Sequence, residues 1–90
     1  MARRERVTKV IDGDTFKTAS RKHSVRLANV NAPEIGTKGG STAKRQLANL
    51  VEGQSVVVDT VARDKYRGSV ANVRVGRKSV NKAMRSKLGK

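Results

Sequence analysis

Two aspartates around a glycine, Asp12-Gly13-Asp14, and a later polar pair, Asn31 and Glu34, are the residues of this chain best suited to hold a metal ion. Three carboxylates and an amide offer only oxygen, the donor set of a hard cation such as Ca²⁺, and leave positions for a phosphate and a water. A helix-loop-helix calcium loop does not fit. Counting from Asp12 puts Phe16 where an oxygen ligand belongs, Lys17 where the glycine belongs and His23 at the last ligand position. The four residues must therefore be gathered by the fold. The plain alternative is structural: Asp-Gly between apolar flanks marks a hairpin corner in which glycine takes a positive φ, and Glu34 then pairs with a neighbouring arginine.

Charge narrows the function. The chain carries 21 Lys+Arg against 7 Asp+Glu, a net charge of +14, and such a surface attracts polyanions. Nucleic acid leads, because each neutralised phosphate releases condensed counterions. A chain without cysteine and with His23 as its one histidine has almost nothing from which to build a zinc centre. With only Phe16 and Tyr66 as aromatics, it also lacks the rings on which non-specific single-strand binders stack bases. No apolar run approaches membrane-spanning length. A monomeric, soluble, cytoplasmic protein is expected, with DNA or RNA as partner, no membrane, and one domain over residues 1–90.

The elements that must position these residues follow from periodicity. Residues 5–11 are rich in β-branched types and run into the Asp-Gly corner; residues 15–19 return. Val25 to Val30 alternates as a third strand, with Val25 and Leu27 inward and Arg26 facing away, and ends at Asn31-Ala32-Pro33-Glu34, a loop stiffened by proline. Gly36, Gly39 and Gly40 lead into a helix with Ala43, Leu47, Leu50 and Val51 on one stripe, capped by Ser41 or Thr42 and ended by Gly53. Residues 56–58 and 69–75 are two further strands, joined by the loop Asp64-Lys65-Tyr66-Arg67-Gly68, and a closing helix carries Val80, Met84 and Leu88 inward. This order predicts a mainly β (α+β) protein: a five-stranded OB-fold barrel with a helix between strands 3 and 4 and a short C-terminal helix.

Val10-Ile11-Asp12-Gly13-Asp14-Thr15, Val25-Arg26-Leu27, Asn31-Ala32-Pro33-Glu34, Asp64-Lys65-Tyr66 and Ser79-Val80-Asn81 together resemble the staphylococcal (micrococcal) nuclease family, in order and over residues 7–88. The resemblance implies an OB barrel and a Ca²⁺-dependent phosphodiesterase that cleaves DNA and RNA with little sequence preference. It implies Asp14, Asn31 and the backbone carbonyl of Ala32 as metal ligands, with Asp12 supporting Asp14 from behind. Glu34 would be the general base on the attacking water, Arg26 the phosphate-binding and transition-state group, and Lys65 and Tyr66 contacts to a neighbouring phosphate. A phosphodiester repels hydroxide, so cation and guanidinium must neutralise it before a carboxylate can usefully activate water.

Two departures shape the expectation. Asn31 stands where the best-known member of the family has aspartate, so Ca²⁺ binding is expected to be weak. The family usually reads Tyr-Gly-Arg, its arginine a second transition-state group, whereas this chain reads Tyr66-Arg67-Gly68. A one-residue shift turns a side chain to the other face of an extended segment, which predicts reduced activity unless Gly68 lets Arg67 swing back. The rival readings are a nucleic-acid-binding OB domain without catalysis, and a basic ribosome-associated or scaffold protein.

Overall fold

A computed structural model describes residues 3–33, 36–64 and 68–88. The chain runs β1 (Arg3–Asp12), β2 (Thr15–Thr18), β3 (Val25–Leu27), α1 (Gly40–Val51), β4 (Ser55–Arg63), β5 (Ser69–Val75), β6 (Lys78–Ser79) and α2 (Val80–Lys87). Neighbouring strands are antiparallel in the order β3-β2-β1-β4-β5-β6, and a parallel pairing of β3 with β5 closes the ring. This is the OB-like barrel that the element order predicted, with α1 between β3 and β4 and α2 at the end. The two-residue β6 is an addition that the sequence pattern does not show.

One face of every long strand fills the barrel. Val7, Val10, Phe16, Val25, Leu27, Val56, Val58, Ala71 and Val73 are buried there, and Leu47 and Val51 of α1 and Val80 and Met84 of α2 join them. Burying each such side chain is worth about 1.5–3 kcal/mol, enough to fix the register of strands whose opposite face is charged.

Three local expectations are corrected. The cap of α1 is Gly39, in the left-handed region at φ 87° and without any side-chain bond, so neither Ser41 nor Thr42 caps it. β3 stops at Leu27, three residues short of Val30, because Asn29 also turns left-handed (φ 59°); a short polar side chain tolerates that region better than most. β4 reaches well beyond residues 56–58, to Arg63.

The C-terminal helix holds the chain beyond β3 in place. Ser79 caps it by accepting from the Lys82 N–H at 3.2 Å. Asn81, 2% exposed, then spans three elements: its Nδ2 donates to the carbonyls of Ala28 (2.9 Å) and Ala71 (3.0 Å), and its Oδ1 accepts from the Val73 N–H at 2.7 Å. An amide whose donors and acceptor are all engaged in a dry interior fixes position strongly, because losing it strands buried backbone groups. Ala28, so fixed, starts the segment that carries Asn31 and Ala32.

Candidate active site

The Asp12-Gly13-Asp14 corner joins β1 to β2, and its glycine is there for proximity. Gly13 does not adopt a positive φ, contrary to the expectation for a tight hairpin. A Cβ at this position would lie 2.6 Å from the Cβ atoms of both Ala32 and Ala43. The corner is thus pressed against the post-β3 segment on one side and α1 on the other, and small residues at all three positions allow it.

That contact sets the aspartates. Asp12 Oδ1 accepts from the Asp14 N–H at 3.1 Å. Asp14, 8% exposed, accepts from Thr15 Oγ1 at 2.9 Å through Oδ1 and from the Ala32 N–H at 3.2 Å through Oδ2. Partial burial, together with the neighbouring Asp14 carboxylate, raises the Asp12 carboxyl above its ordinary value near 3.8, although the backbone hydrogen bond from Asp14 works the other way.

Arg26 comes from β3, whose alternation turns it outward between the buried Val25 and Leu27. It stands opposite Thr15 of β2 and beside Val70 of β5. Its Nη2 donates to Asn31 Oδ1 at 2.9 Å and to the Val30 carbonyl at 3.4 Å, and lies 3.5 Å from Asp14 Oδ2. Oxygens from two separate segments therefore surround one positively charged nitrogen. A cation already occupies the middle of this group, and 38% of its side chain is exposed, so it is accessible to a phosphate.

The chemistry of the donors suits a hard divalent ion: Asp12, Asp14 and Asn31 present oxygen, two of them as close carboxylates that gain from a positive charge. Among the described residues, no three His, Cys, Asp or Glu side chains form a cluster of their own. Glu34, Lys65, Tyr66 and Arg67 lie outside the described residues; in sequence Glu34 directly follows Pro33, and the other three directly precede Gly68.

Asp64 and Gly68, the described residues on either side of them in sequence, meet each other. Gly68 donates its N–H to Asp64 Oδ1 at 2.9 Å, and a Cβ on it would meet Asp64 Oδ2 at 2.8 Å and the Ser24 carbonyl at 3.1 Å. A side chain at position 68, where a gap-free count from Tyr66 puts the family's arginine, would therefore have to displace the Asp64 carboxylate and crowd the Ser24 carbonyl. A residue that the sequence did not single out also borders the site: Arg85 of α2 shares a concavity of about 140 Å³ with Asn29, Asn31 and Leu88. Its position in a helix rich in Lys and Arg gave no signal, since every cation there looks like a solvated face.

Comparison with known proteins shows the family. The family model described as staphylococcal nuclease homologue matches residues 24–87. A micrococcal nuclease of Shigella flexneri is 38% identical over 65 residues, covering 70% of this chain and 37% of the relative. An uncharacterized endonuclease of Haemophilus influenzae is 32% identical over 82 residues, covering 88% of this chain and 46% of the relative. An uncharacterized endonuclease of Escherichia coli O157:H7 is 36% identical over 63 residues, covering 68% and 41%. The chain spans less than half the length of these relatives.

Proposed function

Since this chain belongs to the staphylococcal nuclease homologue family, we propose that it hydrolyses phosphodiester bonds of DNA and RNA with little sequence preference, in a Ca²⁺-dependent and slow reaction. The observation that carries the proposal is the meeting of Asp14 Oδ2 and Asn31 Oδ1 around Arg26 Nη2 on the rim of a strongly basic barrel. Relatives named nuclease and endonuclease support it.

Asp14 and Asn31, with the Ala32 carbonyl, would hold the metal, and Asp12 would steady Asp14 through its backbone N–H. Bound Ca²⁺ would supply positive charge that offsets the negative charge of the phosphodiester. Glu34 would act as general base, taking a proton from the attacking water. Arg26 exchanges its neutral partner, the Asn31 amide, for a phosphate oxygen, a favourable trade because an anionic acceptor makes the stronger bond. Its planar fork then stabilises the charge that accumulates as the water oxygen bonds to phosphorus and the P–O bond to the leaving strand breaks, that oxygen departing with a proton from solvent. Arg67 assists from the loop before Gly68, while Lys65 and Tyr66 contact an adjacent phosphate.

The asparagine at position 31 offers Ca²⁺ an oxygen without a full charge, and glycine stands at position 68, where a side chain would crowd Asp64 and Ser24; both support the slow reaction proposed here. The second reading, a nucleic-acid-binding domain without cleavage, draws on the same absence of a side chain at Gly68. Plasmid nicking separates the two. Cleavage should require added Ca²⁺, stop with a chelator, and fall by about a hundredfold or more in Glu34→Gln. Protein that binds DNA but cuts nothing with Ca²⁺, Mg²⁺ or Mn²⁺ establishes the second reading instead.

A further inference from the structure

The far end of β2 from Asp14 carries a second basic concavity. The turn between β2 and β3 and the facing ends of β4 and β5 enclose about 130 Å³ lined by Arg21, Lys22, His23, Arg63 and Ser69. Among the described residues no carboxylate lines it, and although Arg21 is paired with Glu5 outside the lining, Lys22 and Arg63 bring two further formal positive charges to the same small space. Such crowding costs free energy in the isolated protein, and an anion placed between the charges returns it.

What distinguishes this cluster from the other exposed cations is that its floor is built. Arg21 Nε donates to Glu5 Oε1 at 2.7 Å and Oε2 at 2.9 Å, and Nη1 donates to Ser69 Oγ at 2.8 Å. Glu5 in turn accepts from Thr18 (2.8 Å) and Ser20 (3.1 Å). These bonds fix the plane of the guanidinium while using only part of its five N–H donors. An arginine oriented in advance loses little side-chain entropy when it meets a phosphate. Arg63 stands opposite Ser69 across the β4–β5 ladder, and the Ser69 N–H binds the Ser24 carbonyl at 3.1 Å, so two strands and a turn are tied at this point.

Geometry relates the cavity to the rim. Ser69 and Val70 pair with Val25 and Arg26 respectively, and His23 precedes Arg26 by three residues, about 10 Å of extended chain. That separation is well within the roughly 4–16 nucleotides covered by an OB fold. We propose that the concavity formed by Arg21, Lys22, His23 and Arg63 binds a backbone phosphate of the nucleic-acid strand away from the scissile bond, and so sets substrate affinity without taking part in the chemistry. The identity of the ligand rests on the nuclease reading above; the cavity and its charge do not.

The test uses the full chain, with chelator present to prevent cleavage, and a labelled single-stranded oligonucleotide of roughly 12 nucleotides. Affinity is measured over a range of salt for the native protein, for Lys22→Ala with Arg63→Ala, and for a control of equal charge loss on the exposed face of α1, Lys44→Ala with Arg45→Ala. Arg21 is left intact because its removal would leave Glu5 buried without its cation. The cavity variant should bind about tenfold more weakly at low salt, and its salt slope should fall by roughly 0.7 for each lost phosphate contact, while the control changes much less. In cleavage assays with metal, KM should rise and kcat stay level. Native protein that binds while the cavity variant matches the control overturns the proposal and leaves the nuclease reading intact. Native protein that binds no oligonucleotide at all overturns both.

Discussion

The two ends of β2 each join a carboxylate to an arginine, and they do so in opposite ways. At one end Glu5, 6% exposed, receives Arg21 at 2.7 and 2.9 Å and hydroxyls from Thr18 and Ser20. At the other, Asp14 and Arg26 approach only to 3.5 Å, and the better bond of Arg26 goes to a neutral amide. Titration follows the same division. Burial opposes the charge of Glu5, but hydrogen bonds from Arg21, Thr18 and Ser20 and the charge of Arg21 outweigh it and lower its carboxyl. Burial and a like-charged neighbour raise Asp12. A saturated pair holds the fold together. A loosely matched group, with more negative charge than it can neutralise and a cation free to change partners, is fitted to meet a ligand.

Removing one arginine partner from each end would break this comparison if both ends were alike. Arg26→Ala should reduce cleavage by about a hundredfold or more, since it removes an oxyanion-type donor, yet shift stability by less than about 1 kcal/mol because the pair is long and partly exposed. Glu5→Ala should do the reverse. Stranding Arg21 and the Thr18 hydroxyl at a buried position should cost about 2–3 kcal/mol, or roughly 10–20 °C in Tm, with little change in kcat per folded molecule. Paired thermal melts and nicking rates check both. Equal losses of stability at the two ends would show that the rim is merely another structural corner.

The loop before β5 offers a sharper cut. Exchanging Arg67→Gly with Gly68→Arg restores the family's Tyr-Gly-Arg order on paper. The crowding at Gly68 predicts that the exchange lowers stability by about 1–3 kcal/mol and brings no gain in cleavage, because the new Cβ pushes the Asp64 carboxylate aside and presses on the Ser24 carbonyl. A faster enzyme of unchanged Tm would show that the loop can shift to accommodate the side chain.

Position 68 also shows where sequence reading stops. Alternation along Val25-Arg26-Leu27 gave the outward direction of Arg26 correctly, and the stripe Val80-Met84 gave the inner face of α2, because burial imposes a period on the residues themselves. The barrel followed from the order of elements. The reason for Gly13 did not follow, since closeness to Ala32 and Ala43 depends on segments far apart in the chain, and a turn signal reads the same whether φ or crowding requires the glycine. The left-handed Asn29 that shortens β3 and the contribution of Arg85 to the concavity beside Asn31 were hidden for the same reason. The burial of Glu5 within Arg3-Arg4-Glu5-Arg6 was hidden likewise, since its partner Arg21 lies on the turn after β2.

The smallest effect expected is that of acid on Glu5, and its sign separates charge from packing. In the unfolded chain this carboxyl titrates near 4.5, and in the folded protein it is held lower. On acidification the unfolded state therefore takes up the proton first. The stabilisation from this corner is complete above about pH 4.5 and is lost as pH falls through the native value. Glu5→Gln lacks that titration, so the difference in unfolding free energy between native protein and variant should be constant near neutral pH and narrow in acid. Urea melts between about pH 7 and pH 3 measure it. A difference that stays constant to the acid end would mean that Glu5 acts through the shape of its hydrogen bonds alone, and the contrast between the two ends of β2 would then rest on geometry without charge.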